Sequence, residues 1–537
     1  MKNLLLFFLI IPFFSFKKVK KDEMAKPKLV VGIVVDQMRY DFLYRYQNRY
    51  TKNGFNYLLN NGSSFEQCFI NYLPSFTGPG HASIYTGAIP AFHGIASNDW
   101  YEKENAKLMY CVADSTVANI GGSLKTGQMS PRNLISSTIT DELRLASNFR
   151  SKTIAISLKD RGAILPGGHS ANAAYWMDET NGIFMSSTYY MNKLPNWVDD
   201  FNKDSIAKKY LDKDWNTLYD INSYIQSSED DNKFEGKFLN EKGTSFPHYF
   251  DNEKTANIKK TPYGNSIVFD FAKQALKNEN LGKRNETDFL AVSFSATDYV
   301  GHMYGPNSIE VEDTYLRFDI ELADFIKHLN QEIGEGNYLL FLTADHGVAH
   351  NPAFLQEKKI PSGFFWANKL ETDIKTKLYN KFQDSAMLLD ITDNYVYLNM
   401  PHIQKNNLNA SEINNFIEVE LHKRPEIQFI NNMLSNHESY LPEPVKTMMI
   451  NGFYTKRCGQ IFFLLNPSWI DAYASTGTTH GTWNPYDTHI PLLFYGWHIP
   501  KNKVYNKTVN MTDIAATIAS LLHIQMPNAC VGKPVWE

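Results

Sequence analysis

Cysteine is scarce in this chain. Four residues, Cys68, Cys111, Cys458 and Cys530, stand among 537, and no two share a Cys-x-x-Cys spacing. The absence of that spacing argues against a thiolate zinc module. In an oxidising compartment the four could form up to two disulfides, with three full pairings, and buried free thiols are open as well. The chain also lacks a charge excess. Lys and Arg number 53 against 57 Asp and Glu, a net charge of -4, with no long basic block beyond the N-terminal residues. Nucleic acid is therefore not an expected partner. Internal repeats and long low-complexity linkers are missing too.

Long apolar runs are absent apart from one. Leu4 to Phe13 lies between Lys2 and the basic residues Lys17, Lys18, Lys20 and Lys21. This run is shorter than the roughly 20 residues that span a bilayer and matches the core of a signal peptide. Residues 1–20 are read as that peptide, with Ser15 as the small residue nearest the cleavage site and no Cys there to carry a lipid. The expected location is periplasmic or secreted, with no stable membrane span; an uncleaved anchor is the rival reading.

What is present is a folded protein, 43% apolar and 20% charged. Its length suits one large α/β domain with insertions. Continuous apolar runs at Leu29–Val35, Thr153–Ser157, Phe289–Phe294, Tyr338–Leu342 and Ile490–Tyr495 read as strands covered on both faces. Four of the five lead directly into charged residues: Asp36, Lys159 and Arg161, Asp298, and Asp345-His346. In open α/β sheets that edge binds ligands. Between the strands lie amphipathic segments. Val311, Tyr315, Phe318, Leu322, Phe325 and Leu329 form one helical stripe, and Thr512-Asp513 open a second short helix. The alternation predicts a central, mainly parallel sheet with helices on both faces, in a single catalytic domain over 26–537. Two stretches, about 175–263 and 361–454, interrupt the rhythm and read as insertions bordering the site.

Three carboxylates at strand ends are costly to bury unless cations compensate them. Each alone would pass as a helix cap. Together with His302, four residues after Asp298, with His346 beside Asp345, and with His480 in a loop of small residues, they read as metal ligands. A set of oxygen and nitrogen donors without sulfur suits Zn²⁺ or Mn²⁺, and six donors suit two ions with open positions. Two ions about 3.5–4 Å apart clamp the attacking and leaving oxygens at phosphorus. Thr77 stands before Gly-Pro-Gly at a helix start. Its hydroxyl could serve as an N-cap, or as a nucleophile beside free backbone N–H groups. His81 reads as part of the same helix and His489 as structural, and His350 matches no ligand position. Asn484-Pro-Tyr-Asp487 is a candidate for holding the His480 loop.

Asp36-Gln-Met-Arg, Thr77-Gly-Pro-Gly-His, Asp298-x-x-Gly-His302, Asp345-His-Gly and Thr-Thr-His480-Gly, in this order, resemble the alkaline phosphatase superfamily. Within it, the chain is most similar to the periplasmic, phosphate-irrepressible PafA-type enzymes with a Thr nucleophile. The resemblance runs from Lys28 to the C-terminus. It implies two Zn²⁺, one on Asp298, His302 and His480, the other on Asp36, Asp345 and His346 with Thr77. It implies catalysis through a phosphothreonine. It also implies that Asn98, Lys159 and Arg161 contact phosphate. A monoester dianion carries one more charged oxygen than a diester, and a Lys and an Arg aimed at it reward that charge. The expected substrates are small-molecule phosphate monoesters. The alternatives are a phosphodiesterase or nucleotide pyrophosphatase on the same scaffold, and a non-catalytic metal- or phosphate-binding exported protein. No formylglycine motif (Cys/Ser-x-Pro-x-Arg) supports a sulfatase. The sequence does not give the oligomeric state; a monomer is favoured.

Overall fold

The structure is a computed structural model describing residues 26–123, 126–250, 254–434 and 440–536. The expected signal peptide lies outside the described residues. In chain order the elements used below begin with β1 (Leu29–Val35), β2 (Ser63–Phe69) and α1 (Thr77–Thr86). A hairpin of β3 (Asp99–Glu102) and β4 (Lys107–Tyr110) follows, then β5 (Thr153–Ser157), α2 (Asp160–Gly167), β6 (Ala173–Asp178) and β7 (Ile183–Ser187). Next come β8 (Asp288–Phe294), α3 (Ala296–Tyr304), α4 (Ile309–Glu332) and β9 (Tyr338–Thr343). The chain closes with β10 (Leu492–Gly496), β11 (Lys503–Asn510) and α5 (Asp513–Leu522).

An eleven-stranded sheet runs through the molecule, with β2, β10, β9, β1, β8, β5, β6 and β7 in that order. Its centre, β9-β1-β8-β5-β6, is parallel. Every residue of β1, β5, β8 and β9 is buried. Burial on both faces explains why these segments read as unbroken apolar runs. The flanks are antiparallel: β10 against both β9 and β2, and β6 against β7.

The last apolar run therefore departs from its reading in sequence. An apolar run carries no direction, and β10 runs opposite to its neighbour, with Leu492 paired to Thr343. Its N-terminal end faces the ligand edge, so the His480 loop reaches that edge from before the strand. Register completes the edge. Val34 pairs with Thr343 and Val35 with Phe294, so β1, β8 and β9 end together.

The predicted helix around Val311–Leu329 extends over Ile309–Glu332, and Ser308 caps it by accepting from the Val311 N–H. The stretch from about 175 starts inside β6, which with β7 widens the sheet. Beyond Ser187 it has short helices and turns. The stretch from about 361 holds a separate four-stranded sheet whose strands begin at Leu388 and end at Leu465. It has its own apolar core around Leu370, Ile374, Leu378, Ile413 and Ile417. All four cysteines are free. Among the described residues no helix is long and apolar enough to cross a membrane.

Candidate active site

The carboxylates converge where the parallel strands end. Asp36 follows β1 and its N–H donates to the Phe294 carbonyl at 3.1 Å, which locks it to β8. Asp345 follows β9. Asp298 lies in the first turn of α3, and His302, one turn on, shares its face, with Nε2 3.1 Å from Asp298 Oδ1. The structure thus brings Asp36, Asp298, Asp345, His302, His346, His480 and Thr77 to one end of the sheet.

The three imidazoles are held alike. Nδ1 of His302 lies 2.8 Å from the Thr478 carbonyl, that of His480 2.8 Å from the Ser75 carbonyl, and that of His346 3.0 Å from the Gly347 carbonyl. A carbonyl only accepts, so Nδ1 carries the proton and the Nε2 lone pair is left for an ion. Burial, with the neighbouring His346 and His302, pushes His480 far below the ordinary imidazole range, and burial lowers His346 too. Burial also acts to lower His302, but the Asp298 carboxylate more than offsets it. Neutral imidazoles are the metal-binding form.

The carboxylates are crowded. Burial, reinforced by Asp298 and Asp345, raises Asp36 well above the usual carboxylate range. Burial works in the same direction on Asp298 and Asp345, but His302 and Lys159 pull the first well below that range, and His346 and His81 lower the second. One ammonium bridges two of the three acids: Lys159 Nζ donates to Asp36 Oδ2 at 2.7 Å and to Asp298 Oδ2 at 2.6 Å. Asp36 Oδ1 and Asp345 Oδ2 are buried without a hydrogen-bond partner, because His81 Nδ1, 3.2 Å from the latter, is directed at the Thr77 carbonyl at 2.9 Å. Orphaned anionic oxygens at this depth are uncommon and fit an ion. Two residue groups have ligand atoms close enough to share one: Asp298, His346 and His480, and Asp36, Asp345 and His346. His302 borders the first group, and His346 belongs to both.

Thr77 is the first residue of α1, and the extended Phe76 holds the cap position without a side-chain capping bond. The hydroxyl is therefore not spent on capping. It lies 3.3 Å from His346 Nε2. Asn98 is tied to the same helix end, its Oδ1 accepting from the Gly78 N–H at 2.8 Å. Arg161 sits apart from the carboxylates, and its Nη1 donates to the Tyr110 hydroxyl at 2.9 Å.

Some contributors were not apparent in the sequence. Gln37, at a φ of 67°, donates its side-chain amide to Asp298 Oδ1 at 2.7 Å and its backbone N–H to Asp345 Oδ1 at 3.2 Å. His81 belongs to α1 as expected, but its Nδ1 also lies 3.2 Å from Asp345 Oδ2. The four-residue step from Thr77 to His81 was the available signal. Asp487 holds the His480 loop, accepting from the Thr482 N–H at 2.8 Å and its hydroxyl at 2.7 Å. His350 and His489 stay outside the cluster.

Gly80 lets α1 approach the Asp345 turn. A Cβ there would stand 2.7 Å from the Asp345 carbonyl oxygen and from its Cβ. Gly80→Ala is expected to destabilise the protein by about 1–3 kcal/mol through overpacking. The check is the midpoint of thermal unfolding, and an unchanged midpoint would show that helix and turn separate at no cost.

The comparisons agree with this geometry. Residues 30–487 match the model of the type I phosphodiesterase / nucleotide pyrophosphatase family. Alkaline phosphatase PafA of Elizabethkingia meningoseptica is 45% identical over 524 residues, covering 96% of this chain and 95% of its own. Alkaline phosphatase PhoV of Synechococcus elongatus is 46% identical, covering 96% and 93%. A Myroides odoratus protein described as a calcium-transporting ATPase is 47% identical, covering 98% and 97%. The crystal structure of wild-type PafA superposes with a TM-score of 0.92 at 45% identity, covering 95% of this chain and 98% of that one. The chain belongs to the type I phosphodiesterase / nucleotide pyrophosphatase family and, within the alkaline phosphatase superfamily, to the branch of the PafA- and PhoV-type phosphatases.

Proposed function

We propose that this enzyme hydrolyses phosphate monoesters at a di-zinc site with Thr77 as the nucleophile. The observation that carries the reading is the uncommitted Thr77 hydroxyl, 3.3 Å from a histidine common to both ligand groups. Two Zn²⁺, one held by Asp298, His302 and His480 and the other by Asp36, Asp345 and His346, would supply charge that favours the Thr77 alkoxide and the departing ester oxygen. Thr77 Oγ1 attacks phosphorus in line, the P–O bond to the leaving alcohol breaks, and a phosphothreonine forms. Water then attacks the same phosphorus, and Thr77 leaves with its oxygen. Gln37 holds Asp298 through its side-chain amide and Asp345 through its backbone N–H in both steps. The side-chain N–H groups of Asn98, whose Oδ1 is held by the Gly78 N–H, and the backbone N–H of Thr77 are the donors for the nonbridging oxygens. Lys159 and Arg161 are the two cations that reward the second negative charge of a monoester. The substrates are small phosphate monoesters, and the monomer is the working unit. Residues 1–20 serve as the export signal that delivers the domain of 26–537 to the periplasm or the medium.

The description of the family model favours one rival, a phosphodiesterase on the same scaffold. An aryl phosphate and its methyl diester separate the two. The wild-type enzyme is expected to prefer the monoester, and preference for the diester would overturn the reading. Lys159→Ala and Arg161→Ala are each expected to lower monoester kcat/KM by about 10²-fold, the loss of a charge-assisted contact, and the diester rate far less. Equal losses on both esters would remove the dianion role.

A further inference from the structure

The hairpin β3–β4 joins groups that the reaction uses separately. Asn98 stands just before β3, and Tyr110 ends β4, directly across from Asp99. The Cys111 N–H donates to the Asn98 carbonyl at 2.8 Å, so the two ends of the hairpin are fastened together. From this brace the Tyr110 hydroxyl reaches α2. It donates to Asp160 Oδ1 at 2.5 Å and accepts from Arg161 Nη1 at 2.9 Å. Asp160 Oδ1 also accepts from the Arg161 backbone N–H at 2.6 Å. With its proton committed to Asp160, the phenol oxygen can only accept from the guanidinium. The choice of partner has a consequence. A carboxylate on Arg161 would orient it but cancel its charge, in competition with phosphate. A neutral phenol orients it with no direct ion pair, while the Asp160 and Asp99 carboxylates act on the guanidinium from further off. Arg161 otherwise has a long, entropy-rich side chain to immobilise.

We propose that Tyr110 is a positioning residue for monoester hydrolysis, its hydroxyl holding the Arg161 guanidinium where a phosphate dianion is read. The inference rests on the role given to Arg161 above. Its test is Tyr110→Phe, Arg161→Ala and the double variant in the zinc-loaded full chain, each assayed with an aryl phosphate and its methyl diester. Tyr110→Phe is expected to lower monoester kcat/KM about tenfold and to leave the diester rate within about twofold. In the Arg161→Ala background the same change is expected to do nothing more, because the group it positions is gone. Thermal midpoints measured alongside separate misfolding from misplacement. A loss equal on both esters, no loss at all, or a tenfold loss that persists without Arg161 would each overturn the inference. If Arg161→Ala itself spares the monoester, the role of Arg161 fails first and the inference with it. A strong Arg161→Ala effect beside a silent Tyr110→Phe strikes the inference alone.

Discussion

Thr77→Ala is expected to leave a folded, metal-binding protein with almost no turnover. The loss expected is on the order of 10⁴- to 10⁶-fold in kcat, the scale seen when a covalent nucleophile is removed from a hydrolase. The structure makes the experiment clean. The Thr77 hydroxyl makes no capping bond to α1, so alanine does not forfeit the roughly 1 kcal/mol that a lost cap costs. The change withdraws the hydroxyl beside His346 and the γ-methyl of a buried residue. Thr77→Ser keeps that oxygen and is expected to retain much of the activity. The assay is hydrolysis of an aryl phosphate, with the thermal midpoint as the folding control. Mass spectrometry of acid-quenched wild-type enzyme is expected to find phosphate on Thr77. Undiminished turnover by Thr77→Ala would exclude it as the nucleophile.

Chelation is the second large effect. Treatment with EDTA is expected to abolish monoester hydrolysis, and zinc to restore it best, with two equivalents bound per chain. Buried charge is the reason. Asp36 and Asp298 share the ammonium of Lys159, Asp345 has no such contact, and Asp36 Oδ1 and Asp345 Oδ2 have no hydrogen-bond partner. Removing the compensating cations leaves an electrostatic burden in a buried site, so stability should fall with activity. A lower thermal midpoint after chelation, recovered with zinc, is the second readout. Full activity in metal-free enzyme would refute the di-metal site.

The sequence made much of this legible for a definite reason. Strands buried on both faces are apolar at nearly every position, so Leu29–Val35 and Tyr338–Leu342 stand out, and the charged residues that follow them mark the edge of the sheet. Asp36, Asp345 and the Asp298–His302 pair could be read that way. Other features depend on contacts between distant segments. The antiparallel course of β10 is invisible because hydrophobicity has no polarity along the chain. Gln37 reads as an ordinary loop residue until its positive φ turns its amide toward Asp298. Lys159 is expected at phosphate, and only the assembled edge shows its ammonium between Asp36 and Asp298. The small sheet of the 361–454 stretch has half-exposed strands with Asp and Asn in them, such as Leu388–Thr392 and Ile427–Asn432, so its pattern is diluted.

The pairing of β2 with both β10 and β11 stitches an early strand to the end of the chain. The same closure carries His480 to Ser75, 405 residues earlier. Loops of that length close late, because non-local pairing must meet its entropy cost before contacts reward it. A nascent chain with its first 400 residues made thus has Asp36, Asp298 and Asp345 but no place for His480. The candidate ligand set is therefore incomplete until the C-terminal strands have been made and have docked.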